Sequence, residues 1–336
     1  NQRGHDYPPI NVIIEKVVGN QVAKPKNIMI HVGCQPTILC LFLYANHSKR
    51  RKKMNYQPTL RDIQLIELKI LKDVAKVCEE NGIEYFLEAG TALGAVRHSG
   101  FIPWDDDIDI AMDRENYNRF LEIAPKLLGN EYHVQSRELG ENCPYLYTKV
   151  RLNGTHFSEV ATRNLDIHHG IFIDILPYDN VTDNLVERKR HFSKCRFWIR
   201  VFSLRSLPET GIQPQKTIKG WIRYVARKLV HWILQLVPFV IIDNQINGLV
   251  NKFNGLATEN LTCYAYLMDF VIEKETLFPT KKLAFEDAFF SVPNNVERHL
   301  KKMYGNYMQL PPTEKRVGHN IHEVKIAQHI IESIRK

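Results

Sequence analysis

Four aspartates in one short segment are the residues of this chain best suited to chemistry. Asp105, Asp106 and Asp107 are consecutive, and Asp109 follows within an Asp-Ile-Asp-Ile alternation. Side chains repeat every two residues along a β-strand, so a strand here would present Asp107 and Asp109 on one face and the isoleucines on the other. Adjacent carboxylates repel unless a cation lies between them, and oxygen-rich ligation suits Mg²⁺, with Mn²⁺ as the alternative. The alternation therefore predicts a metal site.

A solvated acidic turn is the alternative interpretation, because charged side chains are normally exposed. The two isoleucines and the preceding Pro103-Trp104 argue against it, since they would draw the segment inward. Buried carboxylates need a partner, and a metal ion can be that partner. We therefore interpret Asp107 and Asp109 as catalytic metal ligands.

A further acid, Asp174, interrupts the otherwise apolar sequence GIFIDIL of residues 170–176. A strand this hydrophobic is expected to be buried, and burying a carboxylate without a partner is costly. Hydrogen bonds within the protein are one explanation. A third ligand that completes the site of Asp107 and Asp109 explains the residue better, and it could also take a proton from an attacking hydroxyl.

Small and basic residues before the aspartates predict a place for phosphate. Gly90 and Thr91 form a turn that follows one strand and precedes a helix ending with Arg97 and His98. Small residues let the backbone approach a ligand closely, and amides at a helix N-terminus suit an anion. All four residues are therefore candidate substrate contacts.

Two cations, Lys149 and Arg151, alternate along a later predicted strand. Their shared face is either exposed to solvent or a pair of contacts for nucleotide phosphates. Asn153-Gly154 is a strong turn signal, so this strand and the next are predicted to form a hairpin.

The helices and strands around these residues are predicted from the spacing of apolar residues and from capping and turn residues. Thr59, with Asp62 three residues later, predicts an N-cap for an amphipathic helix that ends at Asn81-Gly82. We predict helices over residues 59–80, 92–98 and 114–128, and strands over residues 83–87, 132–135, 147–152, 155–160 and 170–176.

The net charge of +8 is concentrated in two segments. Residues 1–53 carry nine Lys and Arg against two acids, and residues 188–228 carry twelve against one. The rest of the chain has a surplus of acids, so a general nucleic-acid binder is excluded.

The two basic segments have different interpretations. Residues 1–53 have only a short apolar run and no cleavage-site pattern, so we expect a dispensable extension, with a basic membrane-surface anchor as the alternative. At the end of the second segment, Arg223, Arg227 and Lys228 precede an apolar run over residues 232–242 that Pro238 interrupts. A core helix with a solvated basic face is the default there, and peripheral contact of residues 188–242 with an anionic membrane or polymer is the alternative.

Six cysteines show neither CxxC pairs nor zinc-site spacing. In a chain of 336 residues they are not expected to form a disulfide framework, which indicates a reducing compartment and a cytoplasmic location. Contact with the inner face of the membrane would be compatible with a cytoplasmic location.

Residues 277–319 again resemble a functional motif, with proline-rich turns, aromatic residues, Arg316 and His319. We predict a lid or loop that packs on the core, with Arg316 as a phosphate clamp.

Three blocks of the chain together resemble the LicD family of phosphocholine transferases, which is related to fukutin-type ribitol-phosphate transferases. The blocks are GTALGAVRHSGFIPWDDDIDIAM, HGIFIDILPYD and the series FEDAFFSVP, YGNYMQLPP, Arg316 and His319. The resemblance implies an α+β fold with a nucleotidyltransferase-like mixed sheet flanked by helices, into which the basic helices are inserted. From this resemblance, together with the change in composition along the chain, we expect a division into an extension (1–53), a catalytic core (54–180), a basic helical region (181–258) and a C-terminal segment (259–336).

The resemblance further implies metal-dependent transfer of a phospho-alcohol, often phosphocholine, from a CDP-activated donor to a sugar hydroxyl of a free or lipid-linked glycan. It maps the metal carboxylates onto Asp107, Asp109 and Asp174. Trp104 would stack on the base or cage choline, or it braces the acidic loop as a core residue. The family's usual Tyr-Gly-Asp ends in Asn306 here, which puts a role for that acid in doubt.

Two other functions are compatible with the same residues. A nucleotidyltransferase that moves NMP from an NTP to a small molecule would use the same acids and release pyrophosphate. A non-catalytic relative that binds glycans would have no need of buried carboxylates.

Overall fold

Eleven β-strands and nine α-helices make up the part of the chain that the computed structural model describes, residues 57–208, 217–266, 269–319 and 321–335. The strands are β1 (Phe86–Leu87), β2 (Asp109–Asp113), β3 (Tyr132–Gln135), β4 (Thr148–Leu152), β5 (Thr155–Glu159), β6 (Phe172–Val181), β7 (Asn260–Thr262), β8 (Ile272–Glu273), β9 (Lys281–Phe285), β10 (Ala288–Val292) and β11 (Ile321–Ile326). The helices are α1 (Leu60–Glu80), α2 (Ala89–His98), α3 (Arg114–Leu127), α4 (Leu185–Ser206), α5 (Ile218–Gln235), α6 (Phe239–Val250), α7 (Lys274–Leu277), α8 (Val296–Tyr304) and α9 (Gln328–Ile334).

The central feature is a mixed sheet with the strand order β1-β2-β6-β4-β3. β2 and β6 are parallel, whereas β1 pairs with β2, β4 with β6 and β3 with β4 in antiparallel fashion. β7 pairs with the last residues of β6, and β8 pairs with β7. The fold is therefore mixed α/β, with β6 at its centre.

Helix α1 forms because both of its ends are capped and one of its faces is apolar. The Thr59 side chain accepts a hydrogen bond from the Asp62 amide while Asp62 caps the Thr59 amide, and Asn81 is the C-cap. α1 and α3 pack against each other and against β6. Their apolar stripes, β6 and the C-terminal hairpin of β9 and β10 share one buried core. Phe285, Phe290 and Val292 of that hairpin are buried in this core.

Several predicted boundaries differ from the observed ones. β1 is shorter than the predicted strand, and α2 begins at Ala89, so Gly90 and Thr91 lie in its first turn instead of before it. β6 begins two residues later than predicted and continues to Val181.

The predicted hairpin between β4 and β5 is wrong, although both strands exist. β4 is paired on both of its edges, with β3 and with β6, so it has no free edge for β5. The turn at Asn153-Gly154 instead leads β5 away to pair with β11.

The basic segment folds as helices α4, α5 and α6, in which α4 packs against the other two. Pro238 separates α5 from α6, as expected for a residue that cannot continue a helix. Among the described residues, no single helix is long and apolar enough to cross a bilayer; α5 and α6 reach that length and hydropathy only jointly, with a 97° bend between them. The predictions for residues 1–53 lie outside the described residues.

A buried ion pair connects α3 to the end of β6. Arg114 Nε lies 2.7 Å from Asp179 Oδ1, and its Nη2 lies 2.9 Å from Oδ2. Asp179 is fully buried and also accepts a hydrogen bond from Asn254 (2.7 Å). Removing one partner of such a pair leaves an uncompensated buried charge.

We expect Asp179→Ala to lower the free energy of unfolding by about 3–5 kcal/mol, because Arg114 would lose its buried counter-ion. Glu187→Ala is the matched control, since Glu187 pairs with Lys252 at the surface, where solvent screens the pair and its contribution to stability is small. Urea denaturation of both variants measures the difference. Equal small losses would contradict a structural role for the buried pair.

Candidate functional site

A cavity of about 210 Å³ lies where β2, β4 and β6 meet. The three predicted metal carboxylates, those of Asp107, Asp109 and Asp174, all line it. The other lining residues are Asp106, Tyr147, Lys149, Phe157, Glu159, Phe172, Leu176, Ala265, Tyr266 and His319. The structure therefore brings the acids from the two sequence motifs into one pocket.

Strand register explains why these residues meet. Asp109 of β2 is the register partner of Asp174 in β6, and Asp174 is in turn the register partner of Lys149 in β4. Register partners on adjacent strands present their side chains on the same face of the sheet. Asp109, Asp174 and Lys149 consequently form one row of charges across three strands.

The Asp107–Ile110 alternation follows the predicted pattern. Ile108 and Ile110 are buried, whereas Asp107 and Asp109 are half-buried and line the pocket. The solvated turn is therefore not what this segment forms. Strand β2 begins only at Asp109, so Asp107 belongs to the loop before it.

Asp174 has a protein partner that the sequence did not identify as such. Lys149 Nζ donates to both of its carboxylate oxygens, at 2.7 and 3.0 Å. The same ammonium lies 3.3 Å from the centre of the Phe172 ring, a cation–π contact. Hydrogen bonds thus satisfy Asp174, and its charge does not require a metal ion.

Lys149 and Arg151, which were predicted to bind phosphate as a pair, have different environments in the structure. Every residue of β4 is buried, so the exposed strand face considered from the sequence is wrong. Lys149 lines the pocket, but Arg151 donates to Gln135 Oε1 and to the Gly170 carbonyl, both at 2.8 Å. Arg151 therefore supports the neighbouring strand and loop and does not line the pocket.

Burial and mutual repulsion raise the pKa values of the clustered acids. Burial, followed by the charges of Asp107 and Asp174, raises the pKa of Asp109 well above its usual range. Burial also raises the pKa of Asp107 to about 6 and, with help from Asp107, that of Asp105 to about 8. Relief of this repulsion is what a bound cation would supply.

A buried glutamate of helix α1 lies close to the same charges. Burial and the charges of Asp107, Asp106 and Asp105 raise the pKa of Glu67 well above its usual range. Its Oε2 atom has no hydrogen-bond partner among the described residues. The acidic character of this region therefore extends beyond the pocket wall.

The Gly-Thr element of α2 positions the acids directly. Thr91 Oγ1 accepts a hydrogen bond from the amide of Asp109 (2.9 Å). At Gly90, a Cβ would lie 2.7 Å from Asp105 Oδ2, so any side chain would displace that carboxylate. These two predicted substrate contacts act here as supports for the aspartates.

His319 closes the pocket from the C-terminal segment. Its amide and Nδ1 each lie 2.9 Å from Asp106 Oδ1, and Nδ1 lies 3.7 Å from Asp107 Oδ2. Asp106, Asp107 and His319 each offer one donor atom within 4.8 Å of the other two. These three candidate metal ligands differ from the predicted ligands Asp107, Asp109 and Asp174, and only Asp107 belongs to both sets.

Four other predicted substrate contacts form a second cluster beside the pocket. The guanidinium of Arg316 lies 5.3 Å from the Trp104 ring centre, and the rings of Trp104 and His98 are 6.4 Å apart. Arg97 donates to the Tyr307 carbonyl at 2.7 Å. None of these four residues lines the acidic pocket, although Trp104 directly precedes the aspartates.

Several residues that line the pocket were not predicted from the sequence as site residues. Asp106 was visible in the triple aspartate but lacked a distinguishing pattern. Tyr266 and Glu159 lie far from it in sequence, and only the fold brings them to the pocket. Tyr266 is held by Glu88, which accepts hydrogen bonds from Tyr266 and Tyr178, each at 2.8 Å. Asn306, the departure from the family's Tyr-Gly-Asp, is exposed and does not line the pocket.

Comparison with known proteins gives consistent similarities. The family model described as "LicD/FKTN/FKRP, nucleotidyltransferase domain" matches residues 82–219. The lipopolysaccharide cholinephosphotransferase LicD of Haemophilus influenzae is 30% identical over an alignment of 283 residues that covers 80% of this chain and 98% of that protein. The ribitol 5-phosphate transferase FKRP of Mus musculus is 42% identical over 118 residues, 33% of this chain and 21% of that protein.

We expect Asp106→Asn to lower the pKa of His319. The hydrogen bond with Asp106 and the charge of Asp107 favour the imidazolium and raise this pKa to about 10, so removing the anionic partner moves it back towards its ordinary value of about 6.5. NMR titration of the chelator-treated protein measures it, with His319→Gln to assign the signal. An unchanged pKa in Asp106→Asn would contradict the described contact.

Proposed function

The chain belongs to the LicD family of phosphotransferases, and we propose that it transfers phosphocholine from a CDP-activated donor to a sugar hydroxyl of a cell-surface glycan, releasing CMP. The observation that carries this proposal is the single pocket in which acids of both motifs meet Lys149. Ribitol phosphate is the other alcohol supported by the named relatives. The proposed acceptor class, a glycan, agrees with the lipopolysaccharide in the printed name of the Haemophilus relative.

The donor set of the pocket fits a divalent cation. The carboxylates of Asp107, Asp109 and Asp174 offer oxygen atoms, the ligands that Mg²⁺ and Mn²⁺ prefer, and the raised pKa values of Asp107 and Asp109 reflect burial and repulsion between neighbouring acids. Asp107 and Asp109 would hold the ion. Asp174 would complete the set only by sharing its oxygens with Lys149. When bound, the cation would neutralise charge on the donor diphosphate and on the leaving CMP.

The protein's own residues would bind, orient and deprotonate the substrates. Lys149 would offer its positive charge to the diphosphate from its place on the pocket wall. Asp174, held by Lys149, is the candidate base for the acceptor hydroxyl, because burial raises its pKa and so strengthens it as a base, while the neighbouring ammonium opposes that rise and favours the ionised form. Arg97 and Arg316 remain predicted diphosphate contacts from the adjoining cluster.

The aromatic part of the pocket supports choline as the transferred alcohol. A quaternary ammonium binds favourably against aromatic faces, and Phe157 and Tyr266 line the cavity together with Tyr147 and Phe172, whose rings Lys149 already contacts. Trp104 is a weaker candidate for this role, since Arg316 already lies over its ring.

We further propose a nucleotidyltransferase-like arrangement for the sheet, supported by the acids of β2 and β6 and by the description of the matching family model. The proposed division at residues 180 and 258 is supported by the separate apolar cluster that joins α4 and α6. A cytoplasmic location is supported by the four cysteines of the described residues, which are buried free thiols.

We expect purified protein with Mg²⁺, CDP-choline and candidate glycans to release CMP, and Asp107→Asn to reduce the rate by about a hundredfold or more, because charge stabilisation at the diphosphate is lost. CDP-ribitol and CDP-glycerol tested in parallel identify the alcohol. Chelation should stop the reaction, and Mg²⁺ or Mn²⁺ should restore it.

Asp113→Asn is the matched control. Asp113 lies at the other end of β2, does not line the pocket and caps α3, and asparagine is an equally good N-cap. Pyrophosphate released from an NTP, without CMP from any CDP-alcohol, would overturn the proposal in favour of nucleotidyl transfer.

A further inference from the structure

Helix α5 is unusual for a surface helix, because three of its polar side chains contact the neighbouring helix α4 while its large apolar side chains face solvent. The carbonyls at the end of a helix lack intrahelical partners, and α5 supplies donors to those of α4. These hydrogen bonds join Arg227 to Leu207 O (3.2 Å), His231 to Leu204 O (2.9 Å) and Gln235 to Arg205 O (2.9 Å). The polar face of α5 is thereby fixed against α4.

The opposite face of α5 carries large apolar side chains in contact with solvent. They recur at helical spacing, at positions 218, 221, 222, 229, 232, 233 and 236. Trp232 is 71% exposed and Leu236 is 84% exposed. Among the described residues, ten of the 21 exposed large hydrophobic side chains lie within residues 218–241, including Val240 and Ile241 of α6. An apolar patch of this kind indicates an interaction surface.

The charges around this patch identify its partner. α5 contains Lys219, Arg223, Arg227 and Lys228 and no acidic residue. Lys219 and Arg223 are exposed beside the apolar stripe. The neighbouring α4 adds exposed Lys and Arg side chains against one glutamate. A second copy of the same surface would bring like charges together, whereas an anionic bilayer would attract them.

We propose that the exposed apolar face of residues 218–241 docks on the surface of an anionic lipid bilayer. Trp221 and Trp232 would lie at the headgroup level, where the amphipathic indole is favoured. Lys219 and Arg223 would contact lipid phosphates. The 97° bend between α5 and α6 suits a helix that lies in the interface and does not cross the bilayer.

Flotation of the full chain with lipid vesicles tests this inference. We expect binding to phosphatidylcholine vesicles that contain phosphatidylglycerol, little binding to phosphatidylcholine alone, and weaker binding as salt is raised. The double variant Trp221→Glu/Trp232→Glu should bind about tenfold or more weakly, since it places charge at the apolar contact. Phe289→Glu is the control, because Phe289 is as exposed as Trp232 but lies on the β9–β10 hairpin.

Tryptophan fluorescence of the unsubstituted protein is a second test, and its result does not depend on whether a variant folds. Brominated lipid should quench it, and the conservative Trp221→Phe and Trp232→Phe changes should remove most of that quenching. Absence of binding and quenching, or binding that the double variant retains, would overturn the proposal. A concentration-dependent dimer that the double variant abolishes would overturn it in favour of a contact between copies of the chain.

Discussion

Repulsion between carboxylates that share a poorly solvated pocket is the constraint on which the rest of this structure depends. Burial penalises each charge, and neighbouring acids add to the penalty, so the pKa values of Asp107 and Asp109 in the pocket and of the adjacent Asp105 all rise. A protein that gathers acids in this way needs cations to offset them. Lys149 supplies one charge at Asp174, and His319 supplies another at Asp106.

The fold holds these groups in place from several directions. The parallel pairing of β2 with β6 aligns Asp109 with Asp174, and β4 adds Lys149 on the other side. The Gly90-Thr91 turn of α2 fits closely against the acidic loop because it has little side-chain bulk. The C-terminal segment then closes the pocket through His319. Such a supporting shell is what fixes charged groups for phosphoryl transfer, in which positioning and electrostatics supply most of the catalysis.

The sequence predicted the parts of this arrangement that depend on local pattern. The capped helix α1, the alternation at Asp107–Ile110 and the membership in the LicD family all follow from short-range signals. The pairing of Lys149 with Asp174 could not be predicted, because strand order is set by contacts distant in the chain. The same reason explains why β5 pairs with β11, why Arg151 has a supporting contact, and why the polar face of α5 points inward.

Diffraction from crystals grown with Mn²⁺ and CDP-choline would test the central claim most directly. The account predicts an anomalous peak in the pocket within about 2.5 Å of carboxylate oxygens of both Asp107 and Asp109, with the donor diphosphate against Lys149. A donor bound in the pocket without such a peak, or a peak held by Asp106 and His319 without Asp109, would contradict it.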